Sequence, residues 1–365
     1  MGLHPLSFGA GSTIGDYQII EVLGLGGMGK VFKVRNVISD RVEAMKVLLP
    51  NAGEIQELGD RFLREIKVVA SLEHPNIASL RTALRVNDQL LMIMEYVEGA
   101  SLDAKLRAGK MEMGQAAGYM CQVLSALSCA HRQGVIHRDV KPSNILINAH
   151  DAVKLTDFGI ASKAGDPRLT ATGMALGSLY YMSPEQIRAL PLDARSDLYS
   201  VGVTLYEMVT GRRPIQGDSF YAIMKAHLEY RPPAPIQLSP QVSPELSRII
   251  EKSLEKAPEH RFQAAEEFRA ALLAAGSPSA SLAVPVAASQ VAAAPQAGLT
   301  TMKSLDPSFL EKAKNDLAVF IGPMAKLIVS RAARSARSRQ ELYEILAGEI
   351  PSVSDRQKFL ASRPL

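Results

Sequence analysis

The spacing of apolar residues changes along the chain, and with it the elements expected. Early runs are strand-like: "KVFKVRNV" and "VEAMKVL" are short and rich in β-branched and aromatic residues, and "QLLMIMEYVEGASL" reads as a strand passing into a polar connection. Between them, "DRFLREIKVVASLEHPNI" spaces Phe62, Ile66 and Val69 along one helical face. Later runs are helix-like, and the globular pattern extends from about Asp16 to Ala275. "GSPSASLAVPVAASQVAAAPQAGLT", Gly276 to Thr300, then has no charge and no amphipathic period, so residues 276–300 are predicted to be a flexible linker.

Residues 301–365 recover helical signals. Asp306 before Pro307 is a cap followed by a first-turn proline, and Gly322-Pro323 ends one helix and starts another. Ser338 with Glu341, and Ser352 with Asp355, have capping-box spacing. About four short helices are predicted there, with Phe309, Ala313, Leu317 and Phe320 on one buried stripe. Partner binding or self-association is the task expected of this module. The run "RAARSARSR", Arg331 to Arg339, reads as a solvated helix face rather than as a patch for an anionic partner.

Composition narrows the classes without deciding among them. A chain of 365 residues, 47% apolar and 21% charged, is long enough for a large core and two or three domains. Its formal charge of +4 lacks a dominant basic block, which argues against nucleic acid as a partner. Cys121 and Cys129 lie eight residues apart in one helical stretch, roughly 12 Å, too far for a disulfide. No apolar run approaches the roughly 20 residues of a membrane span, and no secretory or myristoylation signal is legible, so a cytoplasmic setting is expected.

The chemistry begins at "GLGGMGKVF", Gly24 to Phe32. These glycines fit a dinucleotide-binding turn, a P-loop, or a lid over the phosphates of a nucleoside triphosphate. A P-loop needs a hydroxyl after its lysine, and Val31 stands there; a dinucleotide turn needs a following helix, and a strand follows. Strand, glycine turn and strand make a lid, in which Gly24, Gly26 and Gly29 let backbone amides approach phosphates without an intervening Cβ. Lys30 is then a solvent-facing strand residue, and Lys46 is the phosphate-binding lysine, oriented by an ion pair with Glu65.

Two further stretches complete the set. In "VIHRDVKPSNILI", Asp139 can accept a hydroxyl proton, Lys141 is a cation for a transferred phosphoryl group, and Asn144 is an oxygen ligand for a hard metal. The strand "AVKLTDFGIA" delivers a second oxygen ligand, Asp157, at its end. ATP with Mg²⁺ or Mn²⁺ is the expected cofactor pair.

In this order the motifs resemble the protein-kinase superfamily, and more closely the bacterial serine/threonine kinases of eukaryotic (Hanks) type, over about residues 16–275. The resemblance implies an α+β, two-lobed fold. A lobe of roughly five strands and a helix would span about 16–96, a hinge Glu95 to Gly99, and a helical lobe about 100–275. Leu23 and the glycines would cover ATP; Val31, Ala44 and Leu146 would sandwich adenine, the backbone at Glu95 and Val97 would bond its edge, and Met94 would be the gatekeeper. Asp139 would be the base and Asn144 and Asp157 the metal ligands, with Lys141 marking Ser/Thr specificity. His137 and Phe158 would stack in a regulatory spine, and Ser178 would be the P+1-loop hydroxyl for protein substrates. Glu185 with Arg261, and Asp197, are expected to be scaffold. Thr170 and Thr172 are the expected phosphorylation sites, with Arg138 as the cation that receives the phosphate. The alternative reading is a pseudokinase that works as a binding platform.

Overall fold

Period-two burial organises the N-terminal sheet. In the strand Gly29–Asn36, Phe32 and Val34 are buried, as are Met45 and Val47 in Val42–Leu48, while the residues between them are half-buried or exposed. The computed structural model describes residues 9–26, 29–48, 63, 66–86, 89–109, 111–158 and 175–276. In the tail it describes 309, 312–313, 316–317, 329, 339–348, 356 and 358–360.

The sheet has six strands: β1 (Thr13–Ile14), β2 (Tyr17–Gly26), β3 (Gly29–Asn36), β4 (Val42–Leu48), β5 (Leu80–Val86) and β6 (Gln89–Glu95), in the order β1-β2-β3-β4-β6-β5. The strand beyond the five expected is the two-residue β1, which pairs with Tyr17 and Gln18 and adds Ile14 to the core. One face of the sheet packs Ile19, Phe32, Val34, Met45, Leu91 and Ile93 together. Pairing fixes the other face: Val31 stands opposite Lys46, which stands opposite Met92, and in the next row Ala44 stands opposite Met94. Ile66, in the described helical residues 66–71, packs against Met92 and Met94 on that face with Ala44. Glu65 and Phe62 lie outside the described residues.

After the hinge, β7 (Gly99–Ser101), β8 (Ile145–Asn148) and β9 (Val153–Leu155) form a small antiparallel sheet. Helices α1 (Leu102–Arg107), α2 (Met113–Arg132), α3 (Ala175–Leu179), α4 (Pro184–Ile187), α5 (Ala194–Thr210), α6 (Phe220–Glu229), α7 (Pro235–Leu238), α8 (Pro244–Ser253) and α9 (Ala265–Gly276) complete this lobe. Helix α5 is buried on nearly every side, from Ser196 to Val209, and α2, α8 and α9 join it in one core. Its ends are set by local chemistry: Asp193 caps the Arg195 amide, and Gly211 takes the left-handed conformation, φ 70°, at the C-cap. Cys121 and Cys129 both lie in α2 and are free thiols. The lobes are joined by backbone as well as hinge, since Leu155 donates to Asn76 at 2.8 Å and its carbonyl accepts from Ala78 at 2.9 Å.

The chain divides into two compact units, Met1–Leu282 and Ala283–Leu365. In the second unit, helix α10 (Arg339–Gly348) buries Leu342, Tyr343 and Leu346, and the expected stripe residues Phe309, Ala313 and Leu317 are buried. Tyr343 stacks on Phe359 with ring centroids 5.1 Å apart and donates its hydroxyl to Asp316 at 2.7 Å. Phe320 and most of the 276–300 stretch lie outside the described residues. No helix among the described residues is long and apolar enough to cross a membrane.

Candidate active site

The glycine stretch is a hairpin. Strands β2 and β3 are antiparallel, with Gly24 opposite Val31, Leu25 opposite Lys30 and Gly26 opposite Gly29. Strand follows strand where a P-loop or dinucleotide turn would begin a helix. Leu23 is exposed on β2, and Lys30, paired with Leu25 of β2 and Val47 of β4, is half-buried rather than fully solvent-facing.

The period-two pattern of β4 turns Lys46 away from the N-terminal core. Its Nζ donates to Asp157 Oδ1 at 2.9 Å, bridging 111 positions of sequence. The charge of Lys46 holds the Asp157 carboxyl below its ordinary range, outweighing the opposing effect of burial. Asp157 follows β9 with φ 55°, and Arg138 has φ 68°. Left-handed backbone at non-glycine residues costs about 1–3 kcal/mol each and persists where the surroundings over-determine it.

Those surroundings are visible for the loop between α2 and β8. Asp197, on α5 and 1% exposed, accepts from the amides of His137 at 2.9 Å and Arg138 at 2.8 Å, and lies 2.7 Å from His131 Nε2. Gln186, which completes a capping box with Ser183 on α4, donates to the Arg138 carbonyl at 2.7 Å. The Asp139 amide donates to His137 Nδ1 at 3.3 Å, so His137 Nε2 carries the proton and donates to the Thr156 carbonyl at 3.1 Å. Burial pushes the His137 pKa down, consistent with this neutral tautomer. Its ring meets Phe158 at 4.5 Å between centroids, tilted by 41° instead of stacked face to face.

With the loop pinned, its functional groups converge. Lys141 Nζ donates to Asp139 Oδ2 and to Ser178 Oγ, both at 2.6 Å. Asn144 uses its Nδ2 on the Asp139 carbonyl at 2.9 Å and on Asp139 Oδ2 at 3.0 Å, which directs its amide oxygen away from that carboxylate. A carboxylate able to take a proton thus sits beside a cation and a hydroxyl, near a second carboxylate neutralised by Lys46.

The hinge residues follow β6. Met94 is buried in the cluster that also holds Ala44, and Glu95 and Val97 are half-buried. The Glu95 carboxylate is held by Lys154 on β9 at 2.8 Å and by the Ser79 amide and hydroxyl at 3.2 Å. Leu146 on β8 is half-buried opposite Ser101. Thr170 and Thr172 lie outside the described residues, as does Glu65. Sequence reasoning missed Lys154, His131 and Gln186; each looks like an ordinary polar position, and only a partner 48–66 residues away gives it a task.

Glu185 and Arg261 form a buried bidentate pair, 2.8 and 2.9 Å, as expected of scaffold. The protein kinase domain family matches residues 17–272, and the chain belongs to that family. Within it, the chain is similar in sequence to bacterial serine/threonine-protein kinases. It is 39% identical over 257 residues to serine/threonine-protein kinase PrkC of Bacillus subtilis, covering 70% of this chain and 40% of that one. It is 43% identical over 277 residues to serine/threonine-protein kinase pkn3 of Myxococcus xanthus, covering 72% and 51%. The chain therefore spans about half the length, or less, of these relatives. The crystal structure of the Mycobacterium tuberculosis PknI kinase domain is similar with a TM-score of 0.58 at 27% identity, over 74% of this chain and 100% of that one. A domain of unknown function (DUF8082) matches residues 308–362.

Proposed function

We propose that the protein is an ATP-dependent serine/threonine protein kinase, with residues 16–275 as the catalytic domain and 301–365 as an accessory module for partner binding or self-association. The observation that carries this reading is the convergence of Asp139, Lys141, Asn144 and Ser178 beside the Lys46–Asp157 pair. Asp139 Oδ takes the proton of a substrate serine or threonine hydroxyl as its oxygen bonds to the γ-phosphorus; the bond to the β,γ-bridging oxygen breaks and ADP leaves. Lys141 steadies both Asp139 and the Ser178 hydroxyl and offers its charge to the transferred group. Lys46 orients the α- and β-phosphates.

Asn144 and Asp157 fit a divalent metal of the hard kind, because both offer oxygen. No cluster of three or more His, Cys, Asp or Glu capable of holding a metal occurs among the described residues. A cation that takes few protein ligands and fills its shell with phosphate and water, as Mg²⁺ or Mn²⁺ does, suits that donor set. When bound it supplies charge neutralisation of the triphosphate. Val31, Ala44, Met94, Leu146 and the backbone of Glu95 and Val97 form the adenine pocket, under Leu23, Gly24, Gly26 and Gly29.

Autophosphorylation at Thr170 and Thr172 belongs to the same proposal. Arg138 Nε is buried without a hydrogen-bond partner among the described residues, a group suited to receive a phosphate. Free thiols at Cys121 and Cys129 fit a cytoplasmic location. The test is transfer from labelled ATP to a generic protein substrate, with Asp157→Asn as control and mass mapping of Thr170 and Thr172. Wild type labels the substrate and the control does not; equal inertness of both across divalent metals and pH overturns the proposal in favour of a binding platform.

A further inference from the structure

A groove of about 690 Å³ opens on the helical lobe where the end of α5, helix α6 and helix α7 meet, and the phosphoryl-transfer reading makes no use of it. Its floor is fixed by Tyr206, whose hydroxyl donates to the Pro233 carbonyl at 3.0 Å. Its rim is apolar and open to water, with Tyr230 49% and Leu238 40% exposed. Its charge is one-sided: Arg212, Arg213 and Lys225 line it against the single carboxylate Glu229. Lys225 lies 3.8 Å from Glu229, and Arg213 is held by Glu207 at 3.2 Å. Arg212 is exposed, and its guanidinium makes no hydrogen bond or ion pair among the described residues.

Arg213 also ties this groove to the substrate side of the lobe. Its guanidinium lies 4.4 Å from the ring centroid of Tyr180 and 5.7 Å from that of Tyr181, two and three positions after the Ser178 that Lys141 holds. Glu207, the carboxylate that pairs with Arg213, also accepts from the Tyr181 hydroxyl at 2.5 Å. A ligand in the groove therefore rests on the same arginine that braces the segment expected to seat the substrate.

We propose that this groove docks an acidic segment of the protein substrate, distinct from the stretch around the phosphorylated residue, with an aliphatic or aromatic anchor placed between Tyr230 and Leu238. The excess of cations selects carboxylates, and the exposed rim supplies apolar area for one anchor. Charge also argues against a second copy of the same face, because a two-fold pair would bring together two faces that each carry more cations than carboxylates. The idea that the docked protein is a substrate rests on the kinase reading; the groove's preference for acidic peptides does not.

The test is a fluorescence anisotropy titration of the full chain into labelled Glu-Asp-Phe-Glu-Glu-Leu, with Lys-Lys-Phe-Lys-Lys-Leu as the opposite-charge control. The acidic peptide is expected to bind saturably and to weaken as salt rises. Arg212→Glu and, separately, Leu238→Asp each weaken it about tenfold, equivalent to about 1.4 kcal/mol. Fusing the acidic peptide to a threonine acceptor peptide lowers KM for wild type, leaves kcat unchanged, and loses its advantage in both variants. Equal binding of the two peptides, or variants that bind like wild type, overturns the groove. So does a dimer in sedimentation that either variant dissociates, since self-association would then occupy it. A chain that binds the acidic peptide but transfers no phosphate overturns the kinase reading instead and leaves the groove standing.

Discussion

Replacing Arg261 by methionine removes a side chain whose guanidinium makes five hydrogen bonds in the helical lobe. Arg261 is 0% exposed at its side chain and its partner Glu185 is 7% exposed. Its guanidinium donates to Glu185 Oε1 at 2.8 Å and Oε2 at 2.9 Å, and to the carbonyls of Glu255, Arg195 and Lys256 at 2.7, 3.0 and 3.0 Å. It also sits over the Tyr199 ring, 4.9 Å from the centroid. Methionine fills similar volume but leaves a buried carboxylate and three carbonyls without these donors. Breaking a buried pair in this way costs about 3–5 kcal/mol. At roughly 2–4 °C per kcal/mol for a large domain, the melting midpoint falls by about 10 °C in a circular dichroism scan. The pH dependence carries its own sign. Burial pushes the Glu185 carboxyl up, and the hydrogen bonds and charge of Arg261 outweigh it, leaving it below its ordinary value. In the wild type its stabilisation is therefore present above the unfolded carboxyl range and lost as pH falls through the lower folded value. In Arg261→Met the Ser196 hydroxyl and a backbone amide are the donors left to oppose burial, the folded value rises, and the deficit is largest near pH 8 and shrinks toward pH 5 as Glu185 takes a proton. Adding Glu185→Leu to Arg261→Met recovers part of the loss. A midpoint within about 2 °C of wild type, or a deficit that grows on acidification, refutes the reasoning.

Lys46→Ala lowers phosphoryl transfer from labelled ATP by about 100-fold or more, while Lys30→Ala, on the neighbouring strand, keeps most of it. Asp197→Asn keeps one acceptor oxygen but turns the other into an NH2 donor facing the amide of His137 or Arg138; kcat falls about tenfold or more, and the melting midpoint falls by about 2–8 °C. Gly202→Ala puts a Cβ 2.1 Å from Ser253 Oγ, where α5 crosses α8, and costs about 1–3 kcal/mol in urea unfolding. Ser253→Gly in the same chain restores part of that loss.

Much of the site was legible because its chemistry is local. In the stretch from Val135 to Ile147, a short segment carries a carboxylate, a cation and an amide at spacings that a single loop can present together. The glycine hairpin was legible for a similar reason: Val31 removes the P-loop hydroxyl, and the β-branched run after it extends the chain into the strand that pairs with β2. Partners were less legible. The expected pairing of Lys46 with Glu65 lies outside the described residues, and the contact of Lys46 with Asp157, 111 positions away, was not read from the sequence. The six-strand count also differs, since a two-residue strand such as Thr13–Ile14 is too short to carry a period.

Sequence alone determined the succession of strands and helices, the turn chemistry and the residue types proposed for the site. These depend on side-chain type and on spacings of two to four residues, which the chain carries wherever it folds. Tertiary structure decided which distant groups meet. It set Asp197 beneath the loop of His137 and Arg138, gave Arg261 its three carbonyls, and left the Arg212 guanidinium without a hydrogen bond or ion pair among the described residues at the rim of a basic groove. The physical reason is that a hydrogen bond or ion pair depends on distance and burial to within an ångström or so, and only the packing of α5 against its neighbours fixes those quantities.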